Sequence, residues 1–290
     1  MILFDYSQVC IANVMVHYRD LRDDDGALSL DKFRRLVLAT VRKNVLKFRA
    51  EYGRDVVIAV DSGPSWRKDY FQYYKANRKT GRDESTLDWN FIFDSMRAVK
   101  EELRDNFPYR VIEVPRAEAD DVIGTIAHRF GAQLGDGEHR MLILSGDKDF
   151  IQLQTYSNVR QYAPVGMKVG YVNGGDPDEF LLEHVIRGDG GDGVPNALSA
   201  DETFIKPGGR NMTLSAKRMS ALKDSVRAGT CTETGYFRNL VLIDLARTPE
   251  SIKEAINASF DSQGGKTRLK LMNYFIKHRL ADLVQNLSDY

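Results

Sequence analysis

Four short apolar runs in the first half of the chain each end at or beside an acid. Residues 2–4 precede Asp5, residues 56–60 precede Asp61, and residues 109–114 lead into Ala117, Glu118, Ala119, Asp120 and Asp121. The fourth, residues 141–144, stands just before Ser145, Gly146 and Asp147. Runs this short and this apolar predict buried strands. Between them lie helical patterns. Residues 29–52 carry Leu30, Phe33, Val37, Val41 and Phe48 near a 3.6-residue period, with Ser29 as a cap and Gly53 as a stop. Residues 120–130 repeat the pattern before Gly131. Alternating strand and helix predicts an α/β fold, a mostly parallel central sheet flanked by helices.

Beyond about Glu179 helix patterns alternate with glycine-rich turns: residues 180–187, the turn GDGGDGVPN, then 215–228, 235–246, 249–260 and 266–287. The expected division is therefore an α/β domain over 1–180 and a helical C-terminal region over 181–290, which suits a chain of 290 residues. No apolar run approaches the roughly 18 residues that a membrane span requires. The N-terminus, MILFDYSQ, lacks the features of a secretion signal. Two cysteines, Cys10 and Cys231, exclude a disulfide scaffold, and the five histidines show no metal-ligand spacing.

In an open parallel sheet, ligands bind beyond the carboxyl ends of the strands. Asp5, Asp61 and Asp147 occupy such positions, Glu118 and Asp120 open a helix after another strand, and Asp149 follows Asp147 by two residues. The loop GDGGDG adds Asp189 and Asp192. Singly, an Asp here is an N-cap or a turn former. Eight together repel one another, and the arrangement is tolerable only if cations neutralise it. With no Cys or His ligands in evidence, oxygen coordination favours Mg²⁺, with Mn²⁺ as a substitute, and the acid count suits two ions. Such a pair fits phosphodiester hydrolysis, activating water and stabilising charge on the attacking and leaving oxygens.

Net charge is zero, 41 basic against 41 acidic residues, yet the charges are segregated along the chain. The segment PSWRKDYFQYYKANRKTGR interleaves Arg67, Lys68, Lys75, Arg78, Lys79 and Arg82 with Trp66, Tyr70, Phe71, Tyr73 and Tyr74. A helix over residues 66–79 would set phosphate donors beside rings able to stack on bases, and so form a single-strand gate next to Asp61. A second basic stretch holds Lys206, Arg210, Lys217, Arg218, Lys223 and Arg227. Beside the glycine-rich turn it would suit a helix-hairpin gripping duplex backbone without reading sequence.

The segments FDYSQ, VDSGPSWRKDYFQYYKANRK, DESTLDWN, AEADDVIG, LSGDKDFIQL, GDGGDGVPN and NLVLIDL, in this order, resemble the flap endonuclease or 5′-nuclease family, and within it the ribonuclease H group of T-even phages. The resemblance implies a metal-dependent 5′ to 3′ exonuclease and flap endonuclease with ribonuclease H activity, removing RNA primers and adjacent DNA in lagging-strand replication. It implies a first metal cluster of Asp5, Asp61, Glu118, Asp120 and Asp147, and a second of Asp149, Asp189 and Asp192 with Asp147 nearby. Arg67 and Lys75 match the family's cations near the scissile phosphate. An arch is implied at about 64–90, with Lys68, Tyr70, Tyr74, Arg78, Lys79 and Arg82 on the nucleic acid. The C-terminal region would hold a helix-hairpin (H3TH-like) DNA-binding element with Lys206, Arg210, Lys217 and Arg218. The turn GDGGDGVPNALS lacks the longer glycine-rich hairpin of cellular members.

The implied partners are branched or nicked duplex DNA and RNA–DNA hybrids with a 5′ end or flap, together with a replication clamp and a single-strand-binding protein. The implied state is a monomer, away from membranes, inside a phage-infected bacterial cell. Two other readings compete: a haloacid-dehalogenase-like phosphatase, against which stands Ser7 two residues after Asp5, and a catalytically silent DNA-binding protein. A pure binder gains nothing from eight carboxylates facing a polyanion.

Overall fold

Six strands form one sheet in the order β3-β2-β1-β4-β5-β6 in a computed structural model describing residues 1–131, 140–166 and 168–290, apart from the side chains of residues 79 and 80. The strands are β1 (Ile2–Asp5), β2 (Val56–Ala59), β3 (Arg110–Ile112), β4 (Met141–Leu144), β5 (Val159–Ala163) and β6 (Gly170–Val172). All neighbours pair parallel except β6, which runs antiparallel to β5. The expected mostly parallel sheet flanked by helices is what forms.

The register explains why the central strands are apolar on both sides. Ile2 lies opposite Val56 and Leu142, and Leu3 opposite Val57 and Ile143. Side chains alternate across a strand. Ile2, Phe4, Val56, Ile58, Leu142 and Leu144 therefore face one layer, and Leu3, Val57, Ala59, Met141 and Ile143 the other.

The first layer holds α2 (Leu30–Tyr52) and α5 (Trp89–Asn106), and α1 (Tyr6–His17) follows directly on Asp5. Ser29 caps α2 and Gly53 ends it at φ 78°. The second layer holds α6 (Ala119–Gly131). The aromatic segment contains two short helices, α3 (Arg67–Tyr70) and α4 (Arg78–Asp83), in place of the single helix expected over 66–79. Phe71 is extended and Lys75 is left-handed at φ 56°, so the intervening residues turn rather than wind.

The C-terminal part contains α7 (Pro177–Arg187), α8 (Ala216–Arg227), α9 (Thr234–Ile243), α10 (Glu250–Ser262), α11 (Leu271–Lys277) and α12 (Ala281–Val284). The helix expected over 266–287 is broken after His278, where Arg279 takes φ 53°. The cores do not divide at residue 180. Ile252, Ile256 and Phe260 of α10 pack in the second layer, whereas Leu271, Tyr274, Phe275 and Tyr290 pack in the first. Among the described residues, those from α7 through α9 build a separate cluster, and Phe71 and Tyr74 join it. No helix among the described residues is long and apolar enough to cross a membrane.

Candidate metal centre and nucleic-acid cleft

The carboxyl ends of β1, β2 and β4 and the start of α6 open onto one cleft of about 750 Å³ whose walls include Asp5, Asp61, Asp120 and Asp147. Asp5 caps α1 by accepting the Gln8 N–H at 3.2 Å, and its other oxygen accepts the Ser145 hydroxyl at 2.8 Å. Asp61 accepts the Ala119 N–H at 2.9 Å, tying the end of β2 to the first turn of α6. Asp147 accepts the Asp149 N–H at 3.0 Å. Topology alone thus assembles four acids from distant parts of the chain.

These acids are poorly neutralised. Burial, then the charges of Asp61 and Asp147, push Asp5 up to about 7. Burial, with the neighbouring Asp149, pushes Asp147 up to about 6. Asp120 is raised well above the ordinary range by burial and by Asp147 and Asp5. A cavity lined by carboxylates that resist ionising together fits hard divalent cations, whose charge would relieve the repulsion.

Glu118 behaves differently. It accepts hydrogen bonds from the Ser65 hydroxyl at 2.9 Å, Arg67 at 2.9 Å and the Tyr74 hydroxyl at 3.0 Å, and pairs with the Lys75 ammonium. Burial alone would raise its pKa, but Lys75 and Arg67 overcome that and hold it at about 2. Asp192, expected with Asp149 and Asp189, also turns toward these cations. It accepts from the Tyr74 hydroxyl at 2.9 Å, lies 3.5 Å from Lys75 Nζ and pairs with Arg78.

Three sequence expectations are corrected here. Arg67, expected beside the scissile phosphate, is 2 % exposed, and its guanidinium is engaged by Glu118, both oxygens of Asp121 and the Leu242 carbonyl. It fastens the loop after β2 to α6 and α9 and is not open to a substrate. Tyr74, expected to stack on bases, is buried with its hydroxyl between Glu118 and Asp192. Trp66 is likewise buried and donates to Asp121.

Asp121 is one of two site residues that the sequence pattern does not single out. It is fully buried and accepts from Trp66, Arg67, the Glu118 N–H at 2.8 Å and the Thr248 hydroxyl at 2.8 Å. Its position three residues after Glu118 was visible, but the partners that make it a hub come from other elements. His184 was missed as well. Its Nε2 lies 2.9 Å from Asp149 Oδ1 and 3.6 Å from Asp189 Oδ2, and the three side chains bring ligand atoms within 4.8 Å of one another. Thirty-five residues separate His184 from Asp149, so no local spacing could reveal the meeting.

Lys75, Arg78 and Arg82 join the acids in lining the cleft, as do Trp89 and Phe93, whose rings stack at 5.6 Å and 29°. Lys68 and Tyr70 are exposed outside it, and the Lys79 side chain lies outside the described residues. Lys206, Arg210, Lys217 and Arg218 are exposed beyond the α7 turn. Lys223 and Arg227 are instead tied to Glu179, Lys223 also to Glu183.

Residues 29–175 match the family model described as 5′-3′ exonuclease, N-terminal resolvase-like domain, and residues 175–290 match the one described as T4 RNase H, C terminal. The ribonuclease H of Enterobacteria phage T4 is 31% identical over 297 residues, covering 99% of this chain and 95% of that protein. The 5′-3′ exonuclease of Buchnera aphidicola is 26% identical over 157 residues, covering 52% of this chain and 51% of that one. Among solved structures, T5 5′-exonuclease with bound zinc superposes with a TM-score of 0.61 at 17% identity, covering 91% of this chain and 99% of that one. That likeness concerns the fold.

Proposed function

The chain belongs to the 5′–3′ exonuclease family, with the C-terminal region of the T4-type ribonuclease H, and from that premise we propose that it is a magnesium-dependent 5′ to 3′ exonuclease and flap endonuclease. The observation that carries this reading is the convergence of Asp5, Asp61, Asp120 and Asp147 on one cleft that cations also line. Two ions suit the donor set: one held by these four acids, the other toward Asp149 and Asp189. When bound, such ions lower the pKa of a water and stabilise charge on the attacking and leaving oxygens of an in-line displacement. Glu118 is the acid hardest to recruit as a ligand, because Lys75 and Arg67 hold it.

The protein's own groups supply the rest. Lys75 and Arg78 stand at the cleft wall, where their charges can meet a phosphate and favour the charge that develops on it. Arg82 and the Trp89–Phe93 pair offer a cation and ring faces to an unpaired strand. Lys206, Arg210, Lys217 and Arg218 are exposed where they can grip duplex backbone, Arg218 while donating to the Thr213 carbonyl. With ribonuclease H activity, the substrates are RNA primers and adjacent DNA at 5′ ends or flaps in lagging-strand replication. A clamp and a single-strand-binding protein are the replication partners, and the protein acts as a monomer in the cytoplasm of the infected host.

The test is a 5′-labelled flap duplex and an RNA-primed duplex, each incubated with and without Mg²⁺. Metal-dependent release of short 5′ products supports the reading. Release of terminal phosphate alone, or binding without cleavage, overturns it in favour of a phosphatase or a silent binder.

A further inference from the structure

We propose that His184 is a direct ligand of the ion held toward Asp149 and Asp189, so that this chain has a mixed nitrogen and oxygen site there and favours Mn²⁺ over Mg²⁺ at that ion. The inference rests on the metal-dependent reading above. The histidine is 6 % exposed on α7, whose last turn delivers it to the acids. Its ring packs against Phe180 at 5.7 Å, which fixes the edge that it turns toward them.

The spacing of the hydrogen bond that joins His184 to Asp149 also suits ligation to a shared ion. Metal–ligand bonds of about 2.1 Å set neighbouring donors about 3.0 Å apart at right angles and about 3.4 Å apart in a tetrahedron. The Nε2 stands 2.9 Å from Asp149 and 3.6 Å from Asp189, spacings of that order. The two carboxylates come from separate elements, the 3-10 helix after β4 and the turn after α7, and the imidazole stands between them. Lys148 reaches Asp189 at 2.9 Å, but it is half exposed and can swing into water when a divalent ion arrives. An imidazole donor raises affinity for transition ions, whereas Mg²⁺ prefers oxygen.

Mn²⁺ titrated into the metal-free protein and followed by electron paramagnetic resonance counts the ions, and pulsed measurements detect nitrogen bound directly to Mn²⁺. The wild type is expected to bind two ions and show the nitrogen coupling. His184→Gln should lose the coupling and weaken Mn²⁺ at one ion by about tenfold, with Mg²⁺ affinity changed less than about threefold. Circular dichroism confirms folding of the variant. Should it not fold, wild type labelled with ¹⁵N-histidine gives the same information through the changed coupling. Two ions without any nitrogen coupling, or coupling that survives His184→Gln, overturns this inference and leaves the metal-dependent reading standing. Failure to bind Mn²⁺ at all overturns both.

Discussion

The main-chain N–H of Lys75 donates to the carbonyl of Asp192 at 2.7 Å, and its ammonium stands 3.5 Å from the same residue's carboxylate. The aromatic segment and the turn after α7 are thereby held together at the cleft. Lys75 accepts a left-handed φ of 56° to make the contact, a conformation uncommon for residues other than glycine. Lys75→Ala removes the ammonium beside Glu118 and Asp192. Single-turnover cleavage is expected to slow by about 100-fold, with flap-DNA affinity changed far less. A loss confined to affinity would assign Lys75 to binding alone.

Asp5 near 7, Asp147 near 6 and the raised Asp120 all hold protons in the folded protein at pH values where the unfolded chain has released them. Stability without divalent ions therefore falls as pH rises from about 4 to 7, the folded state binding more protons across that window. The melting temperature should drop by about 5 °C between pH 5 and pH 8 in chelator, and excess Mg²⁺ should abolish most of the drop. Asp147→Asn should raise the metal-free melting temperature at pH 8 while eliminating cleavage and leaving DNA binding largely intact. Thermal scans across pH, with and without Mg²⁺, provide the check.

Arg67 and Asp121 form a buried pair with two parallel hydrogen bonds, at 3.0 and 2.9 Å. Removing one partner of such a pair leaves an uncompensated charge, which costs about 3–5 kcal/mol. Arg67→Met should destabilise by that order in urea unfolding. Arg67→Lys should recover only part of the loss, because an ammonium cannot reproduce the paired geometry. If either variant melts like wild type yet fails to cleave, Arg67 acts on the substrate after all.

Gly188 ends α7 at φ 68°, and a Cβ there would lie 2.4 Å from the Pro195 carbonyl oxygen and 2.5 Å from that of Val194. The turn it begins is closed by Asp189 and Val194, and it carries Asp189 to His184 and Asp192 to Lys75 and Arg78. Gly188→Ala is expected to destabilise by more than about 1 kcal/mol and to weaken divalent-ion binding. Isothermal titration with Mn²⁺ and thermal melting measure the two effects separately.

Neutralising Lys206, Arg210, Lys217 and Arg218 together should flatten the salt dependence of duplex binding. Up to about four fewer counterions would be released, each counting about 0.9 in the slope of log affinity against log salt. An unchanged slope would place the duplex elsewhere.

Four of the sheet's six strands and the acids that follow them were legible because each signal is local. An apolar run followed by Asp5 or Asp61 needs no knowledge of its neighbours, and Ser29 and Gly53 mark α2 by their own chemistry. β5 was not legible, since Arg160 and Gln161 interrupt its apolar character, and β6 is only three residues long. α5 differs from these strands: its signal is local, with Ile92, Met96, Val99 and Leu103 recurring at helical spacing behind an Asp88 cap, and the basic segment before it drew the reading away. The basic and aromatic segment misled for a physical reason. Trp66, Arg67 and Tyr74 have the composition of a nucleic-acid surface, but their polar ends find Asp121, Glu118 and Asp192 and are drawn inside. The identity of those partners depends on long-range closure.

Because α10 completes the cover that α6 begins on one face of the sheet, while α11 and Tyr290 complete the one that α2 and α5 begin on the other, a ribosome releases every strand before either cover is whole. For that interval each side of the nascent sheet is partly bare, and it is then that the growing polypeptide is most exposed to aggregation and most in need of a chaperone's grip.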